Sequence, residues 1–117
     1  MPTTLHKEIE NLKEIVYSQR MQVENAIARA FTALLENQPE LARSVIDSDD
    51  DVDALEVRIE EECLRILTLH QPVAIDFRFV VAVLKVNNDL ERMGDYAVNI
   101  AKRSKILLGY PEQGLTF

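Results

Sequence analysis

Four acidic residues are the strongest candidates for chemistry in this 117-residue sequence, because they form two pairs spaced one helical turn apart. Asp49 and Asp53 lie in the segment DSDDDVD, and Glu91 and Asp95 lie in the segment LERMGDYAVNIA. Like charges at i and i+4 of a helix repel each other and cost about 0.2–0.5 kcal/mol. Metal cations relieve this repulsion, since carboxylate oxygens ligate hard and borderline ions. Each pair alone is expected to face solvent, whereas two such pairs at one level need compensation that a cation can supply, and both alternatives stay open on spacing alone.

Three long helices are predicted to carry these pairs. Apolar residues repeat at helical spacing along each helix, and at seven-residue intervals from Val45 to Ile66. Pro39 and Pro72 mark the two turns between them. The predicted helices run from Leu5 to Leu35 with Thr4 as N-cap, from Pro39 to Leu69, and from Val73 to Leu108.

Short turns make consecutive helices antiparallel neighbours, so the predicted fold is all-α, an up-down-up bundle of three long helices. Residues 1–108 form this domain, and residues 109–117 are predicted to be a linker-like tail. At 1.5 Å per residue, both acidic pairs lie roughly 30 Å from the turn at Gln71 and are therefore level with each other. Whether the pairs face one another depends on the handedness of the bundle, which the sequence leaves open.

Several residues on the core lines of the helices are not ordinary core residues. Gln19 is a polar interruption in the apolar stripe of the first helix. Gly94 lies on the core side of the third helix, where a missing side chain permits close approach of a neighbour. Asn87 and Asn88 are predicted to be polar residues at the core boundary, with the alternative that they orient metal-binding residues, and Cys63 is predicted to be an inert buried thiol.

Composition excludes several classes of function. The formal net charge of −7 and a pI of about 4.8 argue against a nucleic-acid-binding surface. A single cysteine excludes an internal disulfide, and Met1 to Arg20 contains no apolar signal segment. The most apolar stretch, Val73 to Val86, is interrupted by charges and is shorter than a bilayer span. A cytoplasmic protein is the expectation.

The start of the third helix is apolar on every side, which is unusual for a helix with only two neighbours. We expect a further partner to cover it, either a second domain or a second copy in a homodimer. The residues concerned are Phe77, Phe79, Val80, Val81, Val83, Leu84 and Val86.

The sequence resembles the PhoU family of phosphate-signalling regulators. The resemblance covers roughly Leu5 to Leu108. It is carried by DDDVDALEVRIEEECLRIL in the second helix and by HQPVAIDFRFVVAVLKVNNDLERMGDYAVNIA in the second turn and third helix.

This resemblance implies a PhoU-type three-helix fold and acidic E/D-x-x-x-D motifs that bind iron or zinc. Carried over, the motifs match Asp49 with Asp53 and Glu91 with Asp95. Glu56 and Asn99 are further candidate ligands. It also implies negative regulation of phosphate uptake and of the phosphate-starvation response, between a phosphate ABC transporter and a membrane sensor histidine kinase. No enzymatic reaction is implied.

The sequence departs from the family pattern in three ways. PhoU proteins usually carry two repeats and this chain has one, so it is expected to be either the N-terminal half of a longer protein or a short form that pairs with itself. Tyr96 stands where a histidine is common, which removes a potential nitrogen ligand. Met93 stands where isoleucine is common, a mild change in an apolar position.

Three other classes of function are alternatives to this one. The segment Asp49 to Glu60 resembles an EF-hand calcium loop, but Ala54 replaces the glycine that such a loop needs. A ferritin-like di-iron enzyme needs Glu-x-x-His pairs, which neither His6 nor His70 forms. The main alternative is a helical dimerisation or interaction module without a functional metal.

Overall fold

The computed structural model describes residues 3–107 and contains four α-helices in an up-down-up bundle. Because α2 and α3 together take the place of the predicted second helix, the predicted all-α architecture is confirmed. The predicted tail at residues 109–117 lies outside the described residues, as does Leu108. The helices are α1 (Thr4–Leu35), α2 (Pro39–Asp47), α3 (Asp49–His70) and α4 (Ala74–Leu107).

The helix ends follow the sequence signals to within about one residue. Thr3, not Thr4, is the N-cap of α1, because its hydroxyl oxygen accepts a hydrogen bond from the backbone N–H of His6 at 3.1 Å. Pro39 occupies the first turn of α2, where its missing N–H costs nothing. Gln71 adopts a left-handed conformation with φ of 45° and ends α3.

The predicted second helix is interrupted at Ser48, which the sequence analysis did not anticipate. The hydroxyls of Ser44 and Ser48 donate to the backbone carbonyls of Leu41 and Val45 at 2.6 and 2.9 Å. Such bonds back to the preceding turn compete with the helical backbone pattern and bend helices. The seven-residue repeat nevertheless continues through the interruption, since Val45 and Val52 are both buried.

Most of the buried apolar side chains within residues 3–107 fall into two hydrophobic clusters, one towards each end of the bundle. The first is built largely of alanines, and the second of larger aliphatic side chains together with Cys63, which is buried as predicted. The alanine-rich cluster comprises Ala26, Ala30, Ala33, Ala42, Val45, Ala97 and Ala101. The aliphatic cluster comprises Leu12, Ile59, Cys63, Ile66, Val80 and Val83.

Candidate metal centre

Three of the predicted acidic residues meet between α3 and α4. Asp49 and Asp53 lie one turn apart on α3, and Asp95 reaches them from α4. One carboxylate oxygen of each residue lies within 4.8 Å of the corresponding oxygens of the other two. The acidic pairs therefore lie on facing sides of α3 and α4. The sequence alone could not predict this, because it depends on the handedness of the bundle.

The electrostatics of this group are unfavourable without a counter-charge. The pKa of Asp49 is raised, first by burial and then by the negative charges of Asp53 and Asp95, while Lys102 opposes the shift. The pKa of Asp53 is raised by burial and then by Asp95 and Asp50. Both shifts mean that the folded chain resists full ionisation of the group.

Glu91 and Glu56 extend this acidic surface along α4 and α3. The pKa of Glu91 is raised, first by burial, then by the negative charge of Asp95 and by a hydrogen bond between Glu91 and Asp95. Burial also raises the pKa of Glu56, followed by the charges of Glu60, Asp53 and Asp95. Glu91 is thus a neighbour of the group formed by Asp49, Asp53 and Asp95 and not a member of it. Its role as a metal ligand together with Asp95 stays a prediction.

Two local features position the carboxylates. Asp49 is the first residue of α3, where the positive end of the helix dipole stabilises an anion. Gly94 is buried next to Asp95 and faces Val52, as predicted for a core-side glycine. A Cβ atom at Gly94 would lie 3.4 Å from Val52 Cγ1, so the approach of α3 is close but leaves room for a methyl group.

The remaining sequence predictions for the site have different outcomes. Asn99 is exposed four residues after Asp95, and its role as a ligand stays a prediction. The segment Asp49 to Glu60 is continuous helix, so it does not form an EF-hand loop. The prediction that Asn87 lies at the core boundary is wrong, because Asn87 is buried and only 1% exposed.

Asn87 is part of a buried hydrogen-bonded chain that sequence analysis missed. Gln19 Nε2 of α1 donates to Asn87 Oδ1 at 2.7 Å, and Asn87 Nδ2 donates to the backbone carbonyl of Glu56 at 3.0 Å. The sequence signal for this contact was the polar interruption of two core lines, at Gln19 and at Asn87. Their pairing could not be read from spacing, because it depends on how three separate helices pack.

The donor set fits a metal cation. Asp49 Oδ1 is buried and has no hydrogen-bond partner within the described residues, so an acceptor stands unused inside the group. Carboxylate oxygens are ligands for calcium and magnesium, and also for zinc and for the iron of carboxylate proteins. A cation held by Asp49, Asp53 and Asp95 would neutralise their repulsion and join α3 to α4.

Comparison with known proteins gives the chain its family. The PhoU domain profile matches residues 16–104, which is most of the chain. The chain belongs to the PhoU family. It is 46% identical over 107 residues to a phosphate-specific transport system accessory protein PhoU homolog of Aquifex aeolicus, covering 92% of this chain and 48% of that relative.

Two further relatives agree with this assignment. A protein of Serratia marcescens named phosphate-specific transport system accessory protein PhoU is 38% identical over 108 residues, with 92% of this chain and 44% of the relative covered. A PhoU homolog of Zymomonas mobilis is 38% identical over 101 residues, covering 86% of this chain and 43% of the relative. The chain thus spans about half the length of these curated relatives, or somewhat less. Within residues 3–107, no helix is long and apolar enough to cross a membrane.

Proposed function

We propose that this chain acts as a PhoU-type regulator that restrains phosphate uptake and the phosphate-starvation response. In this proposal it communicates between a phosphate ABC transporter and a membrane sensor histidine kinase, and it catalyses no reaction. The support is the 46% identity to a phosphate-specific transport system accessory protein homolog across nearly the whole chain. A cytoplasmic location follows from that role.

We propose further that Asp49, Asp53 and Asp95 bind a metal ion, iron or zinc, with Glu91 as a neighbouring carboxylate. The observation that carries this is the convergence of three carboxylate oxygens within 4.8 Å. The raised pKa values of Asp49 and Asp53 add support, because a cation replaces the protons that the group would otherwise retain. In this role the metal is structural, since it neutralises charge and links α3 to α4.

The regulatory proposal can be tested by complementation. A bacterium that lacks its own PhoU protein is expected to take up phosphate without restraint and to express its starvation genes in phosphate-rich medium. Expression of this chain should return both uptake of labelled phosphate and a starvation-gene reporter towards repressed levels. If the folded chain accumulates and neither quantity changes, the regulatory proposal is wrong.

The metal proposal has a separate test. Protein purified without chelators should contain iron or zinc by elemental analysis, and the double variant Asp53→Asn, Asp95→Asn should lose it. Asp89→Asn is the matched control, because Asp89 is an exposed acid of α4 outside the three-carboxylate group. Metal-free wild-type protein that also fails to bind Zn²⁺ on titration would refute the metal site but not the family assignment.

A second candidate function is that of a metal-independent dimerisation or interaction module. It is favoured by a groove of about 410 Å³ between α1 and α4, which is lined mainly by apolar side chains and includes Tyr17, exposed to 58%. Metal content separates the two candidates, since the interaction module requires none. Self-association is compatible with both.

A further inference from the structure

A chain of two buried amides joins the three long helices of the bundle at one level. Gln19 of α1 is fully buried, and its Nε2 donates to Asn87 Oδ1 of α4. Asn87 then donates from Nδ2 to the backbone carbonyl of Glu56 in α3. We call these two side chains the amide relay.

The backbone carbonyl of Glu56 fixes the orientation of both amides. A carbonyl only accepts, so Asn87 must present its NH₂ group to Glu56 and its oxygen to Gln19. Gln19 must in turn present its NH₂ group, which leaves Gln19 Oε1 buried without a partner. Such an unsatisfied acceptor costs stability, and apolar residues at both positions would avoid this cost. The relay is therefore a poor device for stability alone.

The position of the amide relay relative to the acidic group indicates a role other than stability. Glu56 follows Asp53 by three residues on α3, and Asn87 precedes Asp95 by eight residues on α4. The relay thus lies within about two turns of the carboxylates on both helices that supply them. A shift of α4 along α3 that separates Asp95 from Asp49 and Asp53 would also break the bond from Asn87 to Glu56.

Near the acidic group, α3 and α4 share few large side chains that would resist such a shift, because the aliphatic cluster, with Ile59 of α3 and Val83 of α4, lies on the other side of the relay. Ala97 and Ala101, which follow Asp95 on α4, belong to the alanine-rich cluster, whose other members come from α1 and α2 and not from α3. Helices lock against axial sliding when large side chains insert between those of the neighbour, and an alanine methyl group inserts little. A buried polar pair is the device that fixes register where apolar side chains leave alternatives.

We propose that Gln19 and Asn87 are positioning residues that set the axial register of α4 against α3 and so bring Asp95 beside Asp49 and Asp53. They do not ligate the metal themselves. The part of this proposal that concerns metal rests on the metal site proposed above. The part that concerns register stands on the hydrogen bonds alone.

The test replaces both amides by leucine, Gln19→Leu with Asn87→Leu, so that no donor is left unpaired. Because both partners become apolar, the thermal midpoint should be unchanged or raised. Zn²⁺ affinity measured by calorimetric titration should fall by about 10–100-fold, the usual effect of losing a group that orients metal ligands. Ser104→Ala is the control, because Ser104 is also buried on α4 and its hydroxyl has no partner among the described residues.

A second readout measures register without metal. Spin labels at Glu61→Cys of α3 and Arg103→Cys of α4, both exposed, report the distance between the helices in a Cys63→Ala background. The parent should give one narrow distance distribution in the presence of a chelator, and the double leucine variant a shifted or broadened one. An unchanged distribution would overturn the proposal, and a changed distribution with unchanged Zn²⁺ affinity would overturn its link to the metal. If the parent binds no Zn²⁺, the metal site fails, and the distance measurement alone decides whether the relay sets register.

Discussion

At the scale of single residues, the acidic group makes a prediction about pH. Asp49, Asp53, Glu56 and Glu91 all have raised pKa values in the fold, so the folded state binds their protons more tightly than the unfolded state does. The resulting stability is present at low pH and is lost as pH rises through the raised pKa values. In a chelator, the thermal midpoint should therefore increase as pH falls from neutral towards the ordinary values of 3.8 and 4.5.

The control for this pH effect is the variant Asp49→Asn, Asp53→Asn, Glu91→Gln, in which the increase should be smaller. The difference between the two proteins isolates the acidic group from the other titratable residues of the chain. At more acid pH the trend reverses, because Arg65 and His70 lower the pKa of Glu8 and its contribution is lost as pH falls through that value. Identical pH profiles for the two proteins would contradict the assignment of repulsion to this group.

Gly94 makes a second prediction at this scale. Glycine inside a helix costs about 0.5–1 kcal/mol relative to alanine, and an added Cβ would meet Val52 Cγ1 at an ordinary contact distance of 3.4 Å. Gly94→Ala should therefore stabilise the protein by up to about 1 kcal/mol in urea unfolding. A loss of stability would mean that α3 approaches α4 more tightly than this contact allows.

At the scale of helices, Arg29 of α1 holds the interruption between α2 and α3. Its guanidinium donates to Ser44 Oγ at 2.9 Å and to Ser48 Oγ at 3.4 Å, one bond on each side of the last turn of α2. Arg29→Met keeps the apolar stem but removes both bonds, and we expect it to cost about 1 kcal/mol in urea unfolding. Arg43→Met is the control, because Arg43 is an exposed residue of α2 with no ion pair or side-chain hydrogen bond among the described residues, and its loss should cost about 0.5 kcal/mol or less. Equal losses would argue against a special role for Arg29.

The helices also show which features a sequence can and cannot predict. The helix ends were predictable because Pro39, the second turn and the ends of the apolar repeats are signals contained in a few neighbouring residues. The interruption at Ser48 was not, because the seven-residue repeat continues through it and only the bonds of Ser44, Ser48 and Arg29 reveal it. The equal distance of the two acidic pairs from the turn at Gln71 was predictable from the rise per residue of an α-helix. Their facing one another was not, because it requires the handedness of the bundle.

At the scale of the whole molecule, the amide relay and the acidic group act together on α4. The acidic group lies where α4 meets α3, and Gln19 reaches α4 from α1. The apolar groove also lies between α1 and α4, so α4 contributes to the acidic group, the amide relay and the groove. A ligand in the groove and a metal at the acidic group would therefore contact the same helix from two sides.

This groove supports the expectation of a homodimer, because its apolar side chains have no covering element within residues 3–107. Val86 is 43% and Tyr17 is 58% exposed within it, so two large side chains of one groove face solvent. The residues lining it are Lys13, Val16, Tyr17, Arg20, Phe79, Ala82, Val83, Val86 and Leu90. We expect a dimer by light scattering and a shift to monomer in Val86→Lys, because a charge buried at the interface would lose its hydration.

The matched control for Val86→Lys is Val57→Lys, because Val57 is 50% exposed on α3 and does not line the groove. Val57→Lys should leave the dimer intact and both variants should keep the helical circular dichroism of the parent. Dissociation by both variants would place the interface elsewhere than the groove. A parent protein that stays monomeric at its highest soluble concentration would exclude self-association through the groove.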